Sequence, residues 1–259
     1  MPATAEPFLR GKTRSLPMIR RIPFSFRLRA LGLAALAVFL AGTATTQADE
    51  ADTPAALFQG SAADFQKLDA AKEEIDPKNL REALLSAAIF HETNERRAGL
   101  KLPALAFHEK AGSAAVAHAV AMAKHRTLSH GTPWKEPGST AYERLVAQGL
   151  QPRFSAENIA FNFVLRYEAG KPFYQREENG GTVYSYEPDG APLKPHTYLS
   201  FAEAILTQWM NSPGHRKNII APESEFLGVG CALSNDDKGF DTIYADQDFF
   251  APLPAAPVP

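Results

Sequence analysis

Three side chains, far apart along the chain, form its most coherent chemical set: His130, Glu157 and His215. Each falls at or just past the end of an expected element, with Gly131, Ala156 or Gly214 beside it, which is where loops gather into a cleft. Two neutral imidazoles and one carboxylate make a borderline-soft site for a divalent ion, with coordination positions left open. The same groups can do general acid–base work. A capping or surface role for each residue is the bland alternative, and spacing alone leaves all three readings open.

The other candidate groups offer less. His91-Glu92-Thr93-Asn94-Glu95 begins like a zinc-protease helix, but Glu95 stands where the second imidazole is needed. His118 and His125 are seven residues apart on one helix face, too far for one ion on a straight helix, and read as packing or surface residues. His108 and His196 are loop residues without partners in view. Neither a G-x-S-x-G elbow nor a P-loop occurs. The single cysteine, Cys231, lies in the apolar run Gly228–Leu233. It reads as a buried core thiol rather than a nucleophile, and one cysteine permits no internal disulfide.

Several elements must position the set. Asp76-Pro77 reads as a cap with proline at the first helical position. Leu80, Leu84, Ala87, Ala88 and His91 then share one face of a helix expected from Lys78 to Ala98, ended by Gly99. An alanine-rich helix over Ala111–Lys124 leads into His130. A loop Trp134–Ser139 precedes a third helix, Ala141–Gln148, ended by Gly149. Phe201, Ile205, Leu206 and Trp209 mark a helix that Asn211-Ser212-Pro213-Gly214 stops, which places His215 on a turn just beyond. Trp209 anchors that helix, and Phe161, Phe163, Phe249 and Phe250 read as core. Asn158, if buried, can fix a loop carbonyl and amide beside Glu157. Alternating residues on either side of Glu177–Gly181 predict a hairpin within 171–196, with Phe173, Tyr174, Tyr184 and Tyr186 on it. Leu227–Leu233 and Thr242–Phe249, joined by Ser234–Gly239, predict a second. Helices first and hairpin strands last indicate an α+β chain.

The ends differ from this body. Arg20, Arg21, Arg27 and Arg29 precede the apolar run Leu31–Gly42, and Thr46-Gln47-Ala48 supplies small residues for cleavage. That is the pattern of a secretory signal peptide over 1–48, too short for an ordinary span. Met18 would make a tidier start than Met1. Residues 49–75 read as a linker with a short helix near Ala62–Leu68, residues 76–250 as the folded domain, and 251–259 as a disordered Pro/Ala tail. Residues 1–48 hold 7 of the 27 basic and 1 of the 29 acidic residues, so the remainder has 20 against 28, a net of −8. An acidic exported domain is a poor candidate for nucleic acid or anionic lipid surfaces. With the leader cleaved, no stable membrane span is expected.

Four ordered blocks carry a resemblance. Leu128-Ser129-His130, Ala156-Glu157-Asn158-Ile159-Ala160, Trp209-Met210-Asn211-Ser212-Pro213-Gly214-His215-Arg216-Lys217-Asn218-Ile219 and Leu227-Gly228-Val229-Gly230 together resemble the CAP superfamily (SCP/TAPS domains), in its bacterial branch. Asn94-x-x-Arg97-x-Gly99-Leu100 and the turn at Leu105 fit as well. The resemblance implies a three-layer α–β–α sandwich with a mainly antiparallel central sheet. It implies a cleft of two histidines and two acids, able in some members to bind a divalent metal such as zinc, and His130, Glu157 and His215 match three of those four. The second acid falls at Ser212, and Ala156 replaces the family's glycine, so any two-carboxylate mechanism loses a member. The 171–196 hairpin is an insertion relative to simpler members, either a roof or partner contact or a cover for its own edge. The implied function is an exported binding module for a divalent metal or small apolar ligand in the periplasm or outside the cell, with an extracytoplasmic protein as a further possible partner. The competing reading is a hydrolase, a peptidase, with His130 or His215 as base and Glu157 orienting it, acting through metal-bound water or without it.

Overall fold

The computed structural model describes residues 55–131, 138–234 and 240–254. The expected leader (1–48), the first linker residues (49–54), most of the Trp134–Ser139 loop, the turn centred on 235–239 and the end of the tail (255–259) lie outside the described residues.

A four-stranded sheet organises the chain. In spatial order it runs β1 (Ala106–Phe107), β5 (Phe226–Ser234), β6 (Thr242–Pro252) and β2 (Pro152–Phe163). The β5–β6 and β6–β2 pairs are antiparallel and the short β1–β5 pair is parallel, so the sheet is mixed but mainly antiparallel. Side chains alternate between its faces. Ile243, Ala245 and Phe249 pack with α3 (Glu82–Gly99) and α6 (Tyr198–Asn211). Tyr244 and Phe250 face α4 (Glu109–His125) and α5 (Ala141–Ala147). The architecture is the expected α–β–α sandwich of an α+β chain.

The layer between α4 and the sheet is thin. A Cβ built on Gly228 would lie 2.2 Å from the Ala111 carbonyl carbon, and one on Gly230 would lie 2.2 Å from the Val116 nitrogen. The helix backbone thus rests on the two glycines of β5, and the alanines of α4 permit the approach. This seating fixes the height of α4 over the neighbouring strand β6.

Three expectations change. Residues 55–75, expected as a linker with a short helix near Ala62–Leu68, hold that helix and also bury side chains of their own. A 3-10 turn at Ala56–Phe58, α1 (Ala62–Phe65) and α2 (Asp69–Lys72) bury Leu57, Phe58, Phe65, Ala71 and Ile75. Large apolar residues are few there, but these few point inward, and Phe58 stacks on Phe107 with centroids 3.6 Å apart. Asp76 and Pro77 do cap a helical turn, Pro77–Asn79, but extended backbone at Leu80 separates it from α3, which starts at Glu82. At the other end β6 runs through Ala251, which is buried, to Pro252, so the tail begins later than position 251.

The inserted hairpin forms as read: β3 (Tyr174–Glu178) and β4 (Gly181–Ser185), with Asn179 and Gly180 at φ 53° and 80°. Two consecutive residues at positive φ make the primed turn that suits a twisted hairpin. Phe173 and Tyr184 pack on Phe240, with centroids 4.9 and 4.5 Å away, and Phe163 and Tyr167 join them. This corrects the core placement of Phe161 and Phe163: Phe161 is 38% exposed and both belong to this peripheral ring cluster. The cluster sits at the Phe163 end of β2, six residues and about 20 Å from Glu157. The hairpin packs its rings on Phe240, at that end of the sheet.

Two predictions follow from the packing. Gly230→Ala puts a methyl group into helix backbone and should cost about 3 kcal/mol, lowering the unfolding midpoint by about 10 °C in a thermal melt. His196 donates its backbone N–H to Val164 and accepts from Ile75, joining the hairpin's base to the N-terminal segment. Burial, then the Arg166 charge, hold its imidazole down at about 4. The neutral ring is therefore the folded form: its contribution is complete above about pH 6.5 and is lost as acid carries the protein through pH 4. His196→Gln should flatten the fall in melting temperature over that window.

Candidate functional site

β2 is the sheet's last strand, so the outer side of its backbone lacks a strand partner. Side chains serve it instead. Trp209 Nε1 donates to the Ile159 carbonyl at 3.2 Å, and Asn218 Nδ2 to the Glu157 carbonyl at 3.0 Å. Those carbonyls are two residues apart, as the strand period requires. Trp209 is also fully buried, the anchor expected of it.

His215 does not sit on a turn. Pro213 ends α6 but begins α7 (Pro213–Ile219), with Ser212 shared between the two helices. Proline is tolerated at a first helical position because its missing N–H is unpaired there anyway. Besides the Asn218 bond to Glu157, two further links hold α7 to the sheet. Asn158 Nδ2 donates to the His215 carbonyl and to Gln247 Oε1, both at 3.2 Å, while Asn158 Oδ1 accepts from Asn218. The line continues into α3, since Gln247 Nε2 donates to Thr93 Oγ1, which donates to the Ile89 carbonyl. Asn158 thus takes the fixing role expected of it. The buried Arg97 closes the far end of α7, donating to the carbonyls of Ile219 (2.6 Å), Ala221 (3.3 Å) and Pro103 (2.8 Å). A guanidinium on terminal helix carbonyls also complements the helix dipole.

His130 arrives from the other side. α4 ends with Arg126 in the left-handed region (φ 51°) and Thr127 N–H on the Met122 carbonyl, a reversal that returns the chain toward its own helix. His118, one ring of α4 itself, donates Nε2–H to the Ser129 carbonyl at 3.0 Å. The His130 carbonyl accepts from both terminal nitrogens of Arg144 at 3.4 Å.

All of this converges on Glu157. Its side chain is 4% exposed, and His130 Nδ1 donates to its Oε2 at 2.5 Å. Arg144, on α5 and 5% exposed, pairs with Oε1, and His118 Nε2 lies 3.9 Å from that same oxygen. His130 is 58% exposed, so one side of the pair is wet and the other dry. His215 is half-buried, with Nδ1 inaccessible and lacking a protein partner. Burial pushes its imidazole down, and the His130 charge adds to this. His130 thus contacts Glu157, and His215 is tied through its carbonyl to Asn158, the next residue of β2.

Four residues went unread as site members. His118 was assigned to packing or the surface; it is fully buried beside Glu157, its proton affinity lowered by burial and then by Arg144. Arg144 gave no sign beyond its helix. Asp246 and Asp248 are fully buried on β6, in register with Ile159 and Glu157, and burial pushes both carboxyls well up. Their signal was present: two aspartates at strand spacing inside Ala245-Asp246-Gln247-Asp248-Phe249. One ring nitrogen of His118 and one oxygen each from Glu157 and Asp246 lie within 4.8 Å of one another, a donor group that can hold a metal ion. Cys231 is the inert thiol expected, its pKa pushed up to about 12 by burial. A cavity of about 510 Å³ lined by Phe65, Ala88, His91, Leu199 and Glu203 lies apart from these residues.

Arg144→Ala should cost about 3–5 kcal/mol in chemical unfolding, because it strands a buried carboxylate. Adding Glu157→Gln should restore much of that loss, and strictly additive costs would refute the pairing.

Solved structures similar to this chain include an extracellular protein containing a SCP domain from Bacillus anthracis, at TM-score 0.43 and 24% identity, over 65% of this chain and 41% of that one. An outer surface protein of Borrelia burgdorferi aligns at TM-score 0.42 and 16% identity, over 70% and 99%. A cysteine-rich secretory protein of Staphylococcus aureus aligns at 0.37 and 13%, over 66% and 39%. The chain thus spans only about two fifths of the Bacillus and Staphylococcus proteins. No curated protein matches significantly. Residues 90–249, more than half of the 259, match the model of the cysteine-rich secretory protein (CAP) family, and the chain belongs to that family.

Proposed function

We propose that this is an exported binding module whose cleft takes a divalent cation on His130 and His215 and does not turn over a substrate. The carrying observation is the 2.5 Å contact between His130 Nδ1 and Glu157 Oε2. A carboxylate that accepts from one imidazole nitrogen fixes the tautomer and leaves the other, here Nε2, as a bare donor for a metal. His215 supports the reading with a buried, unpartnered Nδ1 and a depressed pKa, which keeps its ring neutral and ligand-competent. The residues fit the group. Arg144 already offsets the charge of Glu157, and Ser212 supplies none, so the site is led by imidazole rather than by anionic oxygen. That chemistry suits zinc better than magnesium or calcium. A bound ion would supply an electrophilic point with open positions on the wet, His130 side, within reach of an extracytoplasmic protein or a small ligand. The basic and apolar leader supports export, and among the described residues no helix is long and apolar enough to cross a membrane.

The same short contact favours one second reading, a hydrolase in which Glu157 orients His130 as general base. Zinc dialysis separates the two. His130→Ala/His215→Ala should weaken cleft binding by at least about 100-fold, and unchanged binding would end the metal reading. Digestion of a peptide library that disappears in Glu157→Gln would establish turnover instead.

A further inference from the structure

Glu157 has two oxygens, and Oε2 is the one that meets His130. Behind the other lies a dry layer that the proposed cleft does not use. It holds the ring of His118 and the carboxylates of Asp246 and Asp248, all essentially without exposure. Neither oxygen of Asp246, nor either of Asp248, has a protein hydrogen-bond partner, and His118 Nδ1 has none. Folded proteins rarely leave one such atom, and here five stand together on one face of the sheet.

The layer is built to leave them room. Asp246 pairs across the sheet with Gly230 and Asp248 with Gly228, the two glycines on which the α4 backbone rests. Neither glycine contributes a side chain to the aspartates' face. Ala111, Ala114 and Ala115 line the buried side of the helix above. Charge is also out of balance. Glu157, Asp246 and Asp248 are three carboxyl groups, and Arg144 is the one guanidinium that acts on all of them. Protonating the aspartates would remove charge, but each acid hydrogen would then need an acceptor.

We infer that His118, Glu157 and Asp246, with Asp248 alongside, form a second and interior site for a divalent cation, separate from the His130/His215 cleft. Their donor atoms lie within 4.8 Å of one another. Ligands about 2.1 Å from a zinc ion stand at most about 4.2 Å apart, so sub-ångström shifts close the set on one ion. His118 Nε2 lies 3.9 Å from Glu157 Oε1 and 3.0 Å from the Ser129 carbonyl, a backbone contact that holds the ring in place, while its Nδ1 has no partner. One divalent charge added to three carboxylates and one guanidinium brings the buried group to neutrality. One nitrogen among carboxylate oxygens selects a borderline or hard ion such as zinc or manganese.

The inference does not depend on the cleft reading, and one experiment separates them. Purified protein is stripped with chelator, equilibrated with zinc chloride by dialysis and analysed for metal per chain, with melting curves before and after. Wild type should bind two zinc ions. His130→Ala/His215→Ala should keep one, whereas Asp246→Asn and His118→Gln should each lose the interior ion by at least about 100-fold in affinity. Asp246→Asn replaces an unpartnered acid by a neutral isostere, so its stripped form should melt no lower than wild type while losing part of the zinc-induced rise. A single zinc lost only in the cleft double variant overturns the interior site and leaves the cleft. A single zinc lost only in Asp246→Asn and His118→Gln does the reverse. Absence of zinc from wild type overturns both.

Discussion

A carboxylate buried to 4% exposure needs compensation from every direction, and the way Glu157 obtains it determines how much of this molecule is arranged. Arg144 on α5 meets one oxygen, His130 on the loop after α4 meets the other, His118 on α4 stands behind, and Asn218 on α7 takes the backbone carbonyl. Four segments from different parts of the chain are thereby tied to the middle of β2. An isolated surface ion pair would contribute little. This one is enclosed, so losing a partner leaves an uncompensated charge in a dry layer, and the fold cannot relax around it cheaply.

The dryness comes from α4. An ordinary helix on a sheet leaves space for a row of side chains between them. Here the helix backbone sits on Gly228 and Gly230, and the alanines beneath it add little bulk. The strand alongside, β6, carries Asp246 and Asp248 on the same face. Polar groups that would be solvated under a looser helix are sealed in. The same thinness brings His118 within 3.9 Å of Glu157. The arrangement of the candidate site is therefore a consequence of small residues as much as of the histidines.

Much of this was legible in the sequence, and the failures have physical reasons. Both hairpins were legible because alternation is a local signal, to which the first adds an Asn-Gly turn. His130, Glu157 and His215 stood out because each lies beside residues that punctuate the chain. Pro213 misled in one respect, since the residue that ends one helix can start the next. Residues 55–75 were missed because composition averages over a segment, whereas burial is decided by single side chains such as Phe58 and Phe65. His118 was dismissed because only its spacing to His125 on the same helix was considered, and its partner lies on a strand 39 positions later. Asp246 and Asp248 lie within the expected strand Thr242–Phe249 and drew no reading of their own. Strand period puts both on one face, and a sequence contains no statement of what covers that face.

The means of closing an exposed sheet edge and the means of assembling the site are the same contacts. A last strand with free carbonyls invites another chain to pair with it. β2 resists this through the Trp209 indole and the Asn218 amide, each spent on one outward carbonyl. Asn218 belongs to α7, and α7 is short, so it needs the Arg97 clamp at its end and the Asn158 bond at the His215 carbonyl to stay in place. Once α7 is fixed against the edge for that purpose, His215 is fixed with it. The Asn94-x-x-Arg97 segment, far from any chemistry in sequence, is thus a positioning element twice over: Asn94 holds Leu105 through paired backbone bonds and Arg97 holds α7. In a chain with one cysteine and no internal disulfide, edge closure by side-chain hydrogen bonds supplies rigidity that cross-links give to many exported domains. The imidazole held on that edge is rigid for the same reason.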